Sequence, residues 1–173
     1  VYQNFLPDKE YTSLACSIKQ LHDRICVDDN CSYEYETIMR YRKIDKLSNE
    51  VSFYKPYLKK IINPDCNMFF QDVIFLRENK NGIPVHIDSQ LKDRMSAIEA
   101  DISYTPICVN VFYVNVPDDF KGGELVIGNT SIVPTNNTLV EFSSNLSHYV
   151  KPFYTNSRRC MLVTEQCKFD KHA

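Results

Sequence analysis

The chain has 173 residues, 43% of them apolar and 24% charged, with a formal net charge of −2. That length suits one domain with a substantial core, and the near balance of charge removes any electrostatic reason to expect a nucleic acid or an anionic membrane as partner. No apolar run approaches the length of a membrane span.

The chain opens on Val1 and not on Met, which leaves room for a preceding segment, and no stretch reads as a signal peptide. Residues 5–25, FLPDKEYTSLACSIKQLHDRI, predict a helix, with Leu14, Ile18, Leu21 and Ile25 at helical spacing and Pro7 and Asp8 near its start. The more charged stretch 32–61, SYEYETIMRYRKIDKLSNEVSFYKPYLKKI, predicts one or two further helices, punctuated by Pro56 and then Pro64. Residues 1–65 therefore read as helical support. From about residue 69 the texture changes to short runs rich in Val, Ile, Phe and Tyr, among them FFQDVIFLRE, TPICVNVFYVNV, TLVEFSS and RRCMLVTEQ. Turn residues separate them at Asn81-Gly82, Pro117-Asp118, Gly122-Gly123, Asn129 and Asn136-Asn137. Many short strands at close spacing predict a sandwich or barrel, and the lack of α/β alternation argues against a parallel sheet. The stretch 89–105, SQLKDRMSAIEADISYT, interrupts the strands and reads as a partly helical excursion of the kind that forms lids and binding loops.

Seven cysteines are scattered, their number is odd, and no pair has zinc-ribbon spacing. They read as reduced thiols of a cytoplasmic protein. Sequons at Asn129, Asn136 and Asn145 keep a secretory alternative open.

Residues 84–90, PVHIDSQ, place a histidine and an aspartate two apart in a strand-like segment. On a strand His86 and Asp88 share a face and Ile87 turns away. A facial iron site takes two imidazoles and one carboxylate. Of the four histidines, His22 falls in the helical region and His172 beside the C-terminus, so His148, in NLSHYVKPF, is the candidate for the third ligand. A His-x-Asp pair alone is commonly a hydrogen-bonded surface pair.

The order of motifs is more specific. HID is followed by VFYVN, GGELVI, IVPTNNTLVEFSS and HYVKPFYTNSRR. This succession, over about residues 69–166, resembles the Fe(II)- and 2-oxoglutarate-dependent dioxygenases, and the prolyl-4-hydroxylase-like branch in particular. The resemblance implies a double-stranded β-helix, a cupin-like jelly roll, over residues 69–166, within a single oxygenase domain spanning 1–173. It implies Fe(II) held by His86, Asp88 and His148, 2-oxoglutarate as cosubstrate, and ascorbate as a supporting reductant. The basic residue for the distal carboxylate of 2-oxoglutarate falls at Arg158, ten positions after His148, or, if the register is off by one, at its neighbour Arg159 on the opposite face. An arginine suits that role because its fork bonds both carboxylate oxygens. Tyr113 matches the family tyrosine that helps hold the same carboxylate, and otherwise reads as a core aromatic. The implied reaction is hydroxylation of an unactivated C–H bond, with release of succinate and carbon dioxide. Its substrate is a prolyl residue of a peptide, a free amino acid or another small metabolite, and neither a nucleic acid nor a membrane is expected as partner. Retention of Asp88 favours hydroxylation over halogenation. Three departures stand out: Leu76 and Arg77 lie where the family often has a tyrosine, Asn137 takes the place of the hairpin glycine, and Val163 and Thr164 stand where an aromatic often follows. Arg77 reads as a substrate contact or an exposed strand charge, and Arg94, Asp101 and Tyr104, in the excursion, as substrate contacts or a solvated loop. The alternative function is a cupin-like domain that binds a metal or small ligand without turnover, which has no need of a carboxylate clamp.

Overall fold

The computed structural model describes residues 1–25, 33–35, 53–88 and 103–170. Among them are two helices, α1 (Asp8–Ile25) and α2 (Lys55–Ile61), and ten strands: β1 (Tyr33–Tyr35), β2 (Met68–Asn79), β3 (Ile83–His86), β4 (Ser103–Asn115), β5 (Lys121–Gly122), β6 (Leu125–Ile127), β7 (Thr130–Ile132), β8 (Thr138–Ser143), β9 (His148–Val150) and β10 (Phe153–Asp170). They form two antiparallel sheets. The major sheet has the order β1-β2-β10-β4-β8, with β5 also paired to β10, and the minor sheet the order β3-β9-β6-β7. From β2 onward the chain passes back and forth between the sheets: β2, β4, β8 and β10 lie in the major one, and β3, β6, β7 and β9 in the minor one. This alternation is the double-stranded β-helix.

Period-two patterning explains how one sheet serves two cores. Val109, Val111 and Tyr113 of β4 and Met161 of β10 face the minor sheet and pack with Leu125, Phe142 and Val150. The intervening Phe112, Val114, Cys160 and Leu162 face the other way, beneath the helices. There Leu14 and Ile18 of α1, one turn apart, are buried as the spacing predicts, whereas Leu21 is half-buried. Asp8 and Glu10 occupy the first turn of α1, where carboxylates complement the helix dipole. Pro56 lies in the first turn of α2 and so starts that helix without breaking it. Phe112 is fully buried, stacked on Tyr57 at 5.2 Å between ring centroids and met edge-on by Phe5 and Tyr11. A buried polar chain joins α2 to the sheet: Tyr57 Oη lies 3.1 Å from Thr164 Oγ1, which donates to Gln71 Oε1 at 2.7 Å, and Gln166 Nε2 donates to the Ile61 carbonyl at 2.8 Å.

Two boundaries differ from the sequence reading. Tyr33–Tyr35 lies in a stretch predicted helical but forms a strand on the edge of β2, with Tyr33 opposite Phe75. Its alternating aromatic–acidic–aromatic triplet is strand-like, and the charges around it hid that signal. The excursion was placed at 89–105, yet β4 already begins at Ser103. Five cysteines among the described residues, Cys16, Cys66, Cys108, Cys160 and Cys167, are free thiols. No described helix is long and apolar enough to cross a membrane.

The departure at Asn137 has a structural reason. Its φ is +55°, in the left-handed region that asparagine tolerates. Its side chain also docks the N-terminal segment, because Oδ1 accepts from Leu6 N at 2.9 Å and Nδ2 donates to Leu6 O at 2.8 Å, both buried. Asn137→Gly keeps the turn but loses both bonds, and should cost about 2–3 kcal/mol. That corresponds to a fall in melting temperature of roughly 4–12 °C for a chain of this size, measurable by thermal unfolding.

Candidate metal centre

His86 ends β3 and His148 begins β9, and the two residues are direct cross-strand partners. That pairing brings their rings together, 4.1 Å between centroids. Asp88 lies just past the end of β3 and turns its carboxylate to the same side, with Oδ1 3.3 Å from His86 Nε2 and Oδ2 3.4 Å from His148 Nε2. Potential ligand atoms of the three residues all lie within 4.8 Å of one another, and no other such group occurs among the described residues.

The orientation of both rings is set from behind. His86 Nδ1 lies 2.8 Å from the Pro84 carbonyl and His148 Nδ1 3.0 Å from the Leu146 carbonyl. A carbonyl only accepts, so each Nδ1 carries the proton, and in the neutral ring Nε2 keeps its lone pair toward the centre. Carbonyl acceptors of this kind fix the tautomer of metal-binding histidines. Phe142 packs edge-on against His148, ring centroids 4.8 Å apart. Two imidazole nitrogens and one carboxylate, on one side only, are the donor set of a facial Fe(II) site. Neighbouring ligand atoms around an ion bonded at about 2.1 Å lie about 3 Å apart; the two His–Asp spacings, 3.3 and 3.4 Å, are close to that, and the rest of the group, within 4.8 Å, has to draw in around the ion. The residues fit the ion.

The three side chains open into a cavity of about 330 Å³ between the sheets. Its walls are largely apolar, with Ile74, Val109, Val111, Leu125, Val150 and Met161 among them. Tyr113 and Arg159 also line it, each only 1% exposed. Burial pushes the Tyr113 hydroxyl up to about 12, against a smaller lowering by Arg159, so it remains a hydrogen-bond donor at neutral pH. Burial also pushes Arg159 below its ordinary value, opposed by Tyr113 and Cys160. The guanidinium lies 4.3 Å from the Phe153 ring centre and 5.4 Å from that of Phe120. Neither terminal nitrogen, Nη1 or Nη2, has a hydrogen-bond partner. A buried cation with two unmet donors is costly alone and suits a carboxylate that can accept from both.

This corrects the register at the arginine pair: Arg159 faces the cavity and Arg158 does not. Between Tyr154 and Arg159, β10 places four residues against one on β2, a bulge that the sequence does not announce. Arg158 instead lines a cleft between α1 and the outer face of the major sheet, where its carbonyl accepts from Asn115 Nδ2 at 2.9 Å. Arg77 lines the same cleft and not the cavity at the metal centre. Tyr104 is a β4 residue opposite Phe169. Arg94, Asp101 and His172 lie outside the described residues.

Gly122 and Gly123 permit a close approach of neighbouring chain. Both have positive φ, +77° and +70°, and a Cβ on Gly123 would meet the Phe120 ring at 2.5 Å. Phe120 and Phe153, which cradle Arg159, escaped the sequence reading, as did Asp72 and Glu165, which also line the cavity. A signal for the acidic pair existed: Asp72 shares the inward parity of Ile74 and Leu76, and Glu165 that of Met161 and Val163.

No family model and no curated protein matches the chain. Solved structures match at the level of fold. A prolyl-4-hydroxylase from Pseudomonas putida is similar with a TM-score of 0.62 and 16% identity, over 96% of this chain and 90% of that one. IDO from Bacillus thuringiensis gives 0.56 and 17%, over 99% and 90%. An oxidoreductase of the 2OG-Fe(II) oxygenase family from Burkholderia pseudomallei gives 0.52 and 14%, over 91% and 78%. The fold is thus the jelly roll that these proteins share.

Proposed function

We propose that the chain is an Fe(II)- and 2-oxoglutarate-dependent dioxygenase that hydroxylates an unactivated C–H bond. One observation carries the reading. The buried Arg159 guanidinium, with both terminal nitrogens unmet, lines the same cavity as the His86–Asp88–His148 cluster. A domain that merely held a metal would have no use for that cation.

Bound Fe(II) would supply the redox chemistry, coupling the decarboxylation of 2-oxoglutarate by dioxygen to insertion of one oxygen atom into substrate C–H, with succinate and carbon dioxide as the other products. The rest falls to the chain. His86 and His148 present Nε2 from rings locked by backbone carbonyls, and Asp88 supplies the anionic ligand between them. Arg159 takes the distal carboxylate of 2-oxoglutarate, and Tyr113, kept protonated by burial, donates to it. The apolar walls keep water from the reacting atoms. The carboxylate at position 88 occupies the place a halide would need, which favours hydroxylation. The substrate is a prolyl residue of a peptide, a free amino acid or a related small metabolite.

The test is anaerobic loading with Fe(II), followed by exposure to oxygen and 2-oxoglutarate with peptide and free amino-acid libraries, with and without ascorbate. Succinate should form in step with a product 16 mass units heavier, one oxygen atom. His86→Ala should abolish both. Metal uptake without succinate would instead mark a binding domain.

A further inference from the structure

We propose that Asp119 is a positioning residue for the cosubstrate clamp: its carboxylate fastens the β10 bulge to the turn that carries Phe120, and so delivers Arg159 into the cavity. This rests on the function proposed above.

The bulge leads directly into the arginine that reaches the cavity. Four β10 residues, 155–158, stand against the single residue 77 of β2, a surplus of three. Phe153 before the bulge and Arg159 after it both face the cavity side, so the way the bulge is held sets how Arg159 is presented there. Asp119 holds it at two places. Its Oδ1 accepts from Thr155 Oγ1 at 2.5 Å and its Oδ2 from Asn156 N at 2.7 Å. The Thr155 hydroxyl, buried, accepts in turn from Ser157 N at 3.2 Å, and Asn115 secures the Arg158 carbonyl. Every residue of the bulge is thereby bonded, three of them through Asp119 or its first partner.

The same carboxylate fixes the floor under the guanidinium. Asp119 lies in a turn closed by the Phe120 N to Pro117 O bond of 3.0 Å. The next residue, Phe120, lies 5.4 Å from Phe153 between ring centroids, and Arg159 rests on both rings. Gly123 makes room for the Phe120 ring. Turn, rings and bulge converge on Arg159, and Asp119 is the side chain that bonds the turn to the bulge. The bonds from Thr155 and Asn156 hold the Asp119 carboxyl below its ordinary value, which keeps it an acceptor at neutral pH. Asp119 does not itself line the cavity, so it acts through Arg159.

The experiment is calorimetric titration of 2-oxoglutarate into the anaerobic, Mn(II)-loaded full chain, with Mn(II) affinity read separately by electron paramagnetic resonance. Asp119→Ala should weaken 2-oxoglutarate roughly tenfold or more and leave Mn(II) affinity unchanged. Asp119→Asn, which keeps one acceptor oxygen, should lose less. On an Arg159→Ala background, Asp119→Ala should cost nothing further. Unchanged 2-oxoglutarate affinity in Asp119→Ala overturns the proposal, as does a loss that persists in full without Arg159. Should Asp119→Ala fail to take up Mn(II), Thr155→Val removes one of the same bonds and is judged by the same two outcomes. A wild-type chain that binds Mn(II) but not 2-oxoglutarate refutes the proposed function itself.

Discussion

Arg159→Ala should weaken 2-oxoglutarate binding by about 2–5 kcal/mol, the usual cost of truncating one partner of a buried charged pair. That is roughly thirtyfold to several thousandfold, read by calorimetry on the Mn(II)-loaded protein. Arg158→Ala, on the other face of the sheet, should stay within about twofold of wild type, as surface changes usually do. The stability effect should run the opposite way. In the free protein the guanidinium is buried with two donors unmet, and ionic groups in that condition detract from folding. Arg159→Met, close in volume, should therefore leave the free protein at least as stable as wild type while losing the cosubstrate. A melting temperature that dropped sharply in Arg159→Met would mean that the cation serves the fold and not a ligand.

Asp88→Ala should remove Fe(II) or Mn(II) binding at accessible concentrations, a loss larger than the 10–100-fold typical of residues that only support a ligand. Turnover should vanish with it. The carboxylate lies within 3.4 Å of both imidazole nitrogens, so its removal leaves two neutral donors and an incomplete face. Folding should survive, because Asp88 lies beyond the end of β3 and outside both hydrophobic cores. A variant that folded and bound the ion as tightly as wild type would show that the triad is not the binding site.

How much of this could be read from the letters depended on range. His86 and Asp88 are two apart, so local geometry was enough to pair them. His148 followed because only four histidines exist, and the structure sets it directly across from His86. The helical first turn and the buried Leu14–Ile18 face were legible for the same reason: spacing and burial agree. The arginine register was not legible, since Val150 and Phe153, three apart, both face the cavity side: the alternation is reset in the passage from β9 to β10. Counting ten positions from His148 assumes a regular strand, which this one is not. The Phe120–Phe153 cradle was hidden likewise, because each ring alone reads as ordinary core. Tyr33–Tyr35 was misjudged because three residues are too few for a period to declare itself among charged neighbours.

β4 and β10 have apolar side chains on both faces, so one sheet is the common partition of two compartments. Phe112, on the helical side, and Tyr113, on the cavity side, are consecutive residues of that partition, each 1% exposed or less. The chamber therefore has no wall of its own on this side. Its fine shape is inherited from how the helices pack behind it, and drift in that distant layer would retune the chamber without altering a single residue that lines it.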